Sequence, residues 1–593
     1  MTTRSQPEGR PARRHLPSSA AAKRRRRRRL LVPFGMALVG VGLVAGALAI
    51  TGADDRLDVA ERYGVAWAKG DYANLYQLIS ASDRRHVTVE RFAELQQQAR
   101  QTATVERIDV GVPVKADGDR VRLPVRLTTE MFGQLRGELL LPMLKDGDQT
   151  AVDWSQALTF PGLKTGEKMR RTTTLPPRAE IQAADGTTLV RGDSGKRTPT
   201  SDVALASIVG QMGPIPDAER SQFLGDGVPS DAFVGTTGLE RVFEKRLRGT
   251  PGGTLYAGQR VIASTEPEAG EAVVTTIVPS IQRAAVTALG ARLGGIAVVK
   301  PSSGAILALA GAAFSGLQPP GSTFKIVTAT AALRFDAAKM SSTYPVQTST
   351  TLSGVELQNA DAEACGGTLT NSFAHSCNSV FAPLGAKVGG KHLVETAEAF
   401  GFNDDLGIPG AATSSIPTAD QLGNDDLVLG STAIGQGQVQ ATALQMALVA
   451  ATIGERGERP KLSLAKGAVG ERERVIPRQV ASNVTSMMAA VVSIGTGAAA
   501  KVDGVKVAGK TGTAELRTTQ TTTDCDPDNP PAGTTACPDE DDASDTTAWF
   551  AGFAPAGSPK VAIAIQLPGQ GKGGDTAAPV FRTVMTAALK SQK

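Results

Sequence analysis

The spacing of apolar residues divides the chain beyond residue 52 into stretches typical of helices and of strands. Between 55 and 170, apolar residues first recur every three to four positions and then alternate with polar ones over 120–146. From 171 to 280, short strand-like runs are separated by Asp-Gly, Gly-Asp and Pro-Gly turns, with one helix-like run at 236–249. These patterns predict a small α+β domain followed by a β-rich pedestal domain.

A third region begins with a helix predicted over 280–292. Two apolar runs follow at 296–300 and 305–311, and four turn-forming residues join them. Such a hairpin commonly opens a sheet, and about 300 residues follow it. We therefore predict one large C-terminal domain over 285–593.

The segment 30–52 has a different pattern, with 23 residues and no charge. As a helix it is about 34 Å long, against about 30 Å for the hydrocarbon core of a membrane. The basic run Lys23–Arg29 precedes it, and the positive-inside rule places that side in the cytoplasm. We expect a cytoplasmic tail over 1–29, a single-pass transmembrane helix over 30–52 and an extracytoplasmic remainder. A signal peptide cleaved after Ala47-Leu48-Ala49 is the alternative.

Charge is distributed unevenly along the chain. The formal net charge is +5, but residues 1–29 contribute eleven Lys or Arg and one Glu, so the other residues carry −5. Membrane topology explains the basic tail, and nucleic acid is not an expected partner.

The scarcity of histidine and cysteine limits the chemistry. The four histidines show no spacing typical of metal ligands, and no Gly-x-Ser-x-Gly motif accompanies them. We expect neither a metal site nor a cofactor, and a serine nucleophile with a base other than histidine.

The four cysteines form two pairs with equal spacing. Outside the cytoplasm they can oxidise to Cys365–Cys377 and Cys525–Cys537, although the two crossed pairings and free thiols remain open. The acidic stretch around the second pair lacks the Gly and Glu of a calcium loop, and we interpret it as a solvated surface loop.

Candidate chemistry begins at Ser322 and Lys325. Pro319-Pro320-Gly321 interrupts the chain, and the periodic run after it predicts a helix that begins at Ser322. Residues three apart on a helix share a face, so the Lys325 amine can take the proton of the Ser322 hydroxyl. Alone, such a pair is in most cases an N-cap serine and an exposed helical lysine.

Two later motifs strengthen the catalytic interpretation. Ser376 and Asn378 flank Cys377 and offer a hydroxyl for proton relay and an amide for a substrate carbonyl. Lys510-Thr511-Gly512-Thr513 follows a strand-like run, where Gly512 leaves room for a substrate backbone and the other three offer a cation and hydroxyls for a carboxylate. Each motif alone has a structural explanation, as a turn or as a strand with a bulge.

Together and in this order, the three motifs resemble those of the class B penicillin-binding proteins, the membrane-anchored D,D-transpeptidases of peptidoglycan synthesis. The stretches 433–453 and 548–555 are also similar to that family over 285–593. The run 237–253 resembles the end of its dimerisation or pedestal domain, assigned to 171–280, although the family's Arg-Gly-x-Ile motif appears only as "RAEIQAADG" at 178–186. Residues 55–170 resemble the nuclear-transport-factor-like, cystatin-like extension of low-affinity penicillin-binding proteins of Gram-positive bacteria.

The resemblance implies a multidomain α+β protein whose last domain is an antiparallel sheet flanked by helices. It further implies that Ser322 attacks a D-Ala-D-Ala stem peptide of a lipid II-derived glycan strand, that Lys325 accepts its proton, and that backbone N–H groups of Ser322 and Thr513 stabilise the oxyanion. Ser376 and Lys510 relay a proton to the leaving group. Asn378 positions the peptide, and Thr511 and Thr513 bind its carboxylate beside Gly512.

The same resemblance implies that β-lactams acylate Ser322 and that a separate enzyme polymerises the glycan. A β-lactam sensor, a catalytically silent scaffold and a β-lactamase remain the alternative functions. The two cysteine pairs are interpreted as structural staples near the site, and redox control of access is a further hypothesis.

Overall fold

A computed structural model describes residues 54–515 and 546–592 of the chain. From Asp55 onward the described residues belong to one compact unit. The predicted basic tail, the predicted transmembrane helix over 30–52 and the pair Cys525 and Cys537 lie outside the described residues. Within the described part, no helix is long and apolar enough to cross a membrane.

The N-terminal domain packs four helices against an antiparallel sheet, as the change of periodicity predicts. The alternation along β3 places Val121, Leu123, Val125 and Leu127 on the buried face of the sheet, against Tyr63, Trp67 and Phe92 of the helices. Its elements are α1 (Asp55–Lys69), α2 (Tyr72–Gln77), α3 (Ala81–His86), α4 (Val89–Thr102), β1 (Val105–Val110), β2 (Val114–Lys115), β3 (Arg120–Thr129), β4 (Gly133–Asp146) and β5 (Gln149–Val152).

The middle region consists of short elements, and one of its sheets packs against the N-terminal domain. Leu255 and Ala257 of β12 belong to the N-terminal core, and the predicted boundary at 170 falls within β6. The elements are β6 (Met169–Thr174), β7 (Ile181–Gln182), β8 (Thr188–Arg191), β9 (Thr198–Pro199), α5 (Val203–Ala206), β10 (Met212–Pro214), α6 (Arg220–Gly225), β11 (Phe233–Gly235), α7 (Gly238–Val242), α8 (Glu244–Arg248), β12 (Gly252–Ala257), β13 (Arg260–Thr265) and β14 (Val273–Val274).

The C-terminal domain opens with the predicted helix and hairpin, followed by a mainly helical region with six short strands and then by three strands of the same sheet as the hairpin. Its elements are α9 (Pro279–Leu289), β15 (Gly295–Lys300), β16 (Ala305–Gly311), α10 (Lys325–Arg334), β17 (Thr343–Gln347), β18 (Ser349–Leu352), β19 (Val355–Gln358), β20 (Cys365–Thr368), α11 (Leu369–Ala374), α12 (Asn378–Val388), α13 (Gly390–Ala399), α14 (Ala419–Leu422), α15 (Asp426–Ala433), α16 (Ala443–Gly454), β21 (Glu458–Pro460), β22 (Arg472–Arg474), α17 (Arg478–Ile494), β23 (Ala508–Glu515), β24 (Thr546–Ala554), β25 (Val561–Pro568) and α18 (Ala578–Ser591).

A five-stranded antiparallel sheet organises this domain, in the order β16-β15-β25-β24-β23. Both of its faces are buried, so β25 is apolar at successive positions. Its isoleucines, Ile563 and Ile565, face the core that includes α9 and α18. Ala562 and Ala564 face the opposite core, which includes the fully buried α16. The predicted arrangement of an antiparallel sheet flanked by helices is confirmed.

Two local predictions are wrong in detail. The helix-like run at 236–249 forms two short helices separated at Phe243, and α5 and α6 are additional helices in the middle region. The helix predicted to begin at Ser322 begins at Lys325, because Gly321–Phe324 forms a tighter 3₁₀ turn.

Candidate active site

Ser322 lies in the 3₁₀ turn that leads into α10. Gly321 adopts φ +51°, and the backbone N–H of Gly321 donates to Gly435 O at 2.9 Å. A Cβ at Gly321 would lie 2.7 Å from Thr513 O. The turn thus sits directly against β23, and only glycine fits both the backbone conformation and the space.

Lys325 is the centre of the site. The side chain is fully buried, and its Nζ lies 3.1 Å from Ser322 Oγ and 3.2 Å from Ser376 Oγ. The same Nζ donates to Ser376 O at 2.6 Å and to Asn378 Oδ1 at 2.7 Å. The structure therefore brings Ser322, Lys325, Ser376 and Asn378 together, as the motif analysis predicts.

The protonation state of Lys325 follows from these surroundings. Burial lowers the pKa of Lys325 well below its usual value, and the charge of Lys510 lowers it further. A neutral amine has two N–H groups and one lone pair. Ser376 O and Asn378 Oδ1 can only accept, so they take the two N–H groups. The lone pair is left for a hydroxyl proton, and the amine is arranged as a base.

A strained turn holds Ser376 in place. Ser376 has φ +60°, which is uncommon for a residue with a side chain, and Cys377 N donates to Ser372 O at 2.9 Å. Cys377 forms a disulfide bond with Cys365 at the start of β20, so this predicted pairing is confirmed. Asn378 Nδ2 donates to Gln358 O at 2.8 Å, which directs its oxygen toward Lys325.

Lys510 lies on β23, the edge strand of the five-stranded sheet, in agreement with the predicted position of this motif. The side chain is fully buried, and its Nζ donates to Thr511 O at 3.2 Å. The same Nζ lies 5.7 Å from the ring centre of Phe373. Burial lowers the pKa of Lys510 to about 7.

The rest of this motif faces the Ser322 turn and a second loop. A Cβ at Gly512 would lie 2.9 Å from Pro320 O, so the two backbones are in close contact. Thr513 Oγ1 accepts from Gly573 N at 3.3 Å, and Thr511 Oγ1 lies 2.6 Å from Thr496 Oγ1. Gly512 and the carbonyl of Thr513 thus lie against the serine turn, while the hydroxyls of Thr511 and Thr513 contact Thr496 and Gly573.

Comparison with known proteins places these elements in one family. Residues 294–586 match the penicillin binding protein transpeptidase domain, 192–275 the penicillin-binding protein dimerisation domain, and 57–167 the NTF2-like N-terminal transpeptidase domain. The peptidoglycan D,D-transpeptidase PbpA of Mycolicibacterium smegmatis is 31% identical over 422 residues, which cover 60% of this chain and 80% of that protein. The chain belongs to the penicillin-binding protein transpeptidases.

Solved structures of this family have the same fold. The D,D-transpeptidase domain of a peptidoglycan glycosyltransferase from Eggerthella lenta is 27% identical with a TM-score of 0.55, and covers 70% of this chain and 99% of its own. The imipenem acyl-enzyme complex of penicillin-binding protein A from Mycobacterium tuberculosis is 25% identical with a TM-score of 0.53, and covers 70% of this chain and 98% of its own.

Two residues of this penicillin-binding protein site were missed by sequence reasoning. Asn359 is buried; its side-chain oxygen accepts from Ser379 N at 2.8 Å, and its amide donates to Gln347 O and Glu363 O. Thr496 contacts both Thr511 and the backbone of Ala374. Neither belongs to a motif, and the only local signal is the Gly495-Thr496-Gly497 run that marks a turn.

No group of three or more His, Cys, Asp or Glu that could hold a metal ion occurs among the residues that the structure describes.

Proposed function

We propose that the protein is a peptidoglycan D,D-transpeptidase and that Ser322 is its nucleophile. The observation that carries this role is the environment of Lys325, whose amine lies 3.1 Å from Ser322 Oγ and whose two N–H groups are taken by carbonyl oxygens. A lysine held neutral in this way activates a hydroxyl for attack on an acyl group.

The first half-reaction forms an acyl-enzyme. Ser322 Oγ attacks the carbonyl of the D-Ala-D-Ala bond of a stem peptide, and its proton passes to Lys325. The N–H groups of Ser322 and Thr513 stabilise the oxyanion. The C–N bond breaks, D-Ala leaves, and its nitrogen receives the proton through Ser376, which contacts Lys325 at 3.2 Å.

The second half-reaction transfers the acyl group. An amine of a neighbouring stem peptide attacks the ester carbon, loses a proton to the same base and releases Ser322. Before D-Ala leaves in the first half-reaction, Lys510 and the hydroxyls of Thr511 and Thr513 hold its terminal carboxylate beside Gly512, while Asn378 positions the peptide. A β-lactam forms the same ester with Ser322, in line with the acyl-enzyme complex of the mycobacterial relative.

The decisive experiment is intact-mass analysis of the purified full chain during incubation with benzylpenicillin, with Ser322→Ala as the control. We expect one lasting adduct on the wild-type chain, no adduct on the variant, and a crosslinked product from a D-Ala-D-Ala peptide and an amine acceptor. Penicillin consumption without an adduct would identify a β-lactamase. A lasting adduct without peptide product would identify a sensor, and inertness toward both compounds would identify a scaffold; each of these results contradicts the proposal.

We further propose that residues 30–52 anchor the protein in the cell membrane, with 1–29 in the cytoplasm and the catalytic domain outside. The uncharged segment and the adjoining basic run support this topology. Protease added to intact protoplasts should digest the catalytic domain and spare the N-terminal tail; protection of the catalytic domain would contradict the topology.

A separate glycan polymerase is the proposed membrane partner. The stretch between 52 and 280 is largely occupied by the matches to the NTF2-like and dimerisation domains, which leaves little chain for a polymerase of its own. Affinity purification from membranes should recover such an enzyme, and its absence would contradict this partnership.

A further inference from the structure

Thr496 connects the two walls of the active site. Its Oγ1 lies 2.6 Å from Thr511 Oγ1 on β23, and its backbone N–H donates to Ala374 O at 3.1 Å at the end of α11. Ala374 precedes the turn that carries Ser376. One residue thus touches both the carboxylate-binding strand and the segment that presents the relay serine.

Close backbone contacts fix the position of Thr496. A Cβ at Gly495 would lie 2.1 Å from Ala374 O, and a Cβ at Gly574 would lie 2.8 Å from Thr496 O. The first distance shows that the segment around Thr496 packs closely against the end of α11. The second shows that the loop after β25 packs closely against Thr496. These contacts fix the backbone of Thr496 beside β23, and from there its hydroxyl reaches Thr511 although the residue is exposed.

The direction of this hydrogen bond matters because each hydroxyl has one proton. Ala374 O already accepts the backbone N–H of Thr496, and its distance to Thr496 Oγ1 is 3.4 Å, at the long end for a hydroxyl donor. The better acceptor for the Thr496 proton is Thr511 Oγ1. Thr511 then keeps its own proton for a further acceptor, and a carboxylate can only accept.

We propose that Thr496 is a positioning residue that makes Thr511 a hydrogen-bond donor to the carboxylate of the incoming stem peptide or β-lactam. This inference rests on the proposed function, in which Thr511 binds that carboxylate. Thr496 lies outside the three motifs, yet in this proposal it orients the hydroxyl of Thr511, which lies within one of them.

The test compares Thr496→Val, which removes the hydroxyl at nearly constant shape, with Thr496→Ser, which keeps it. The rate of acylation of Ser322 by benzylpenicillin is measured over a range of concentrations on the purified full chain. Because Thr496→Val leaves Thr511 its hydroxyl and removes only the neutral hydrogen bond that orients it, we expect the second-order rate constant to fall about 5-fold. The loss should appear as a higher half-saturating concentration of penicillin with an unchanged limiting rate of acylation. Thr496→Ser should stay within about 3-fold of wild type.

A probe without a carboxylate separates this role from a structural one. Phenylboronic acid, which bonds to the same serine, should compete with penicillin equally well in the wild type and in Thr496→Val. Equal weakening of both compounds would overturn the proposal, as would a Thr496→Val chain that reacts with penicillin like the wild type. A wild-type chain that forms no adduct would instead contradict the proposed function.

Discussion

At the scale of single residues, the site depends on two buried lysines with different tasks. Lys325 contacts four oxygen atoms of three residues, whereas Lys510 has one hydrogen-bond acceptor and an aromatic face among the described residues. Burial lowers the pKa of Lys325 well below its usual value and brings the pKa of Lys510 to about 7. Such lysines cost stability, because an amine that is charged in water must be dehydrated on folding.

We predict that Lys510→Met inactivates the protein but stabilises it, most strongly at neutral pH. Between pH 7 and about 10.4, Lys510 is neutral in the folded chain and protonated in the unfolded chain, so wild-type stability rises with pH over that range. Methionine has no proton to bind. The variant should be more stable by about 1–4 kcal/mol at pH 7, and the gap should narrow toward pH 10.

Urea denaturation at pH 7 and pH 9.5 measures this gap. A variant that is less stable than the wild type at pH 7, or a gap that widens with pH, would contradict the prediction.

Sequence reasoning found the residues that bear the chemistry because three motifs, taken together and in order, resemble those of one family. Ser322 and Lys325 are close in sequence, and the structure adds Ser376, Asn378 and Lys510 around them. Thr496 was not predictable, because its contact with Thr511 depends on how the loop after α17 meets the edge of the sheet. A contact between segments that are distant in the sequence does not affect the local spacing of apolar residues.

At the scale of elements, the turn before α10 shows that the apolar pattern predicts a helix more reliably than it predicts where the helix begins. The apolar periodicity predicts the helix but not its first residue, because a 3₁₀ turn and an α-helical turn bury nearly the same positions. The β15–β16 hairpin was predicted and is confirmed, since two short apolar runs and the four turn-forming residues between them are local signals. The short helices α7 and α8 were predicted as one, because the break at Phe243 interrupts no apolar run.

We predict that Gly321→Ala separates the nucleophile from the substrate-binding strand. Gly437→Ala is the matched control, since both glycines have positive φ but only Gly321 lacks space for a methyl group. The control should lose about 1 kcal/mol of stability and keep its rate of acylation. Gly321→Ala should lower the rate of penicillin acylation by at least about 10-fold, measured below the unfolding transition. Equal rates in the two variants would show that the contact with Thr513 does not position Ser322.

At the scale of the whole molecule, the pedestal and the catalytic domain share a core. Apolar residues of the pedestal, such as Val190 and Leu239, belong to the same buried cluster as α10 and α16. The pedestal also contains a buried cluster of charges around Glu240. Arg178 Nη2 lies 2.7 Å from one carboxylate oxygen of Glu240, and Arg197 Nε lies 2.7 Å from the other. A substitution that destabilises the pedestal should therefore also destabilise the active site.

We predict that Glu240→Gln destabilises the chain by about 3–5 kcal/mol, because it leaves the buried Arg197 without its counter-charge and Arg178 with Glu244 alone. Glu94→Gln removes one partner of the exposed Arg91–Glu94 pair and should change stability by less than about 1 kcal/mol. The readout is the temperature at which the chain loses its ability to form the penicillin adduct. If Glu240→Gln and Glu94→Gln lose it at the same temperature, pedestal and catalytic domain are not coupled.

The strand order has a consequence for biosynthesis. Strand β25 lies between β15 and β24, yet it is made about 260 residues after β15. Until then, the growing chain has a hairpin with an open hydrogen-bonding edge, and no strand joins β23 and β24 to it. We therefore expect a chain that stops before residue 561 to be inert toward penicillin and prone to aggregate.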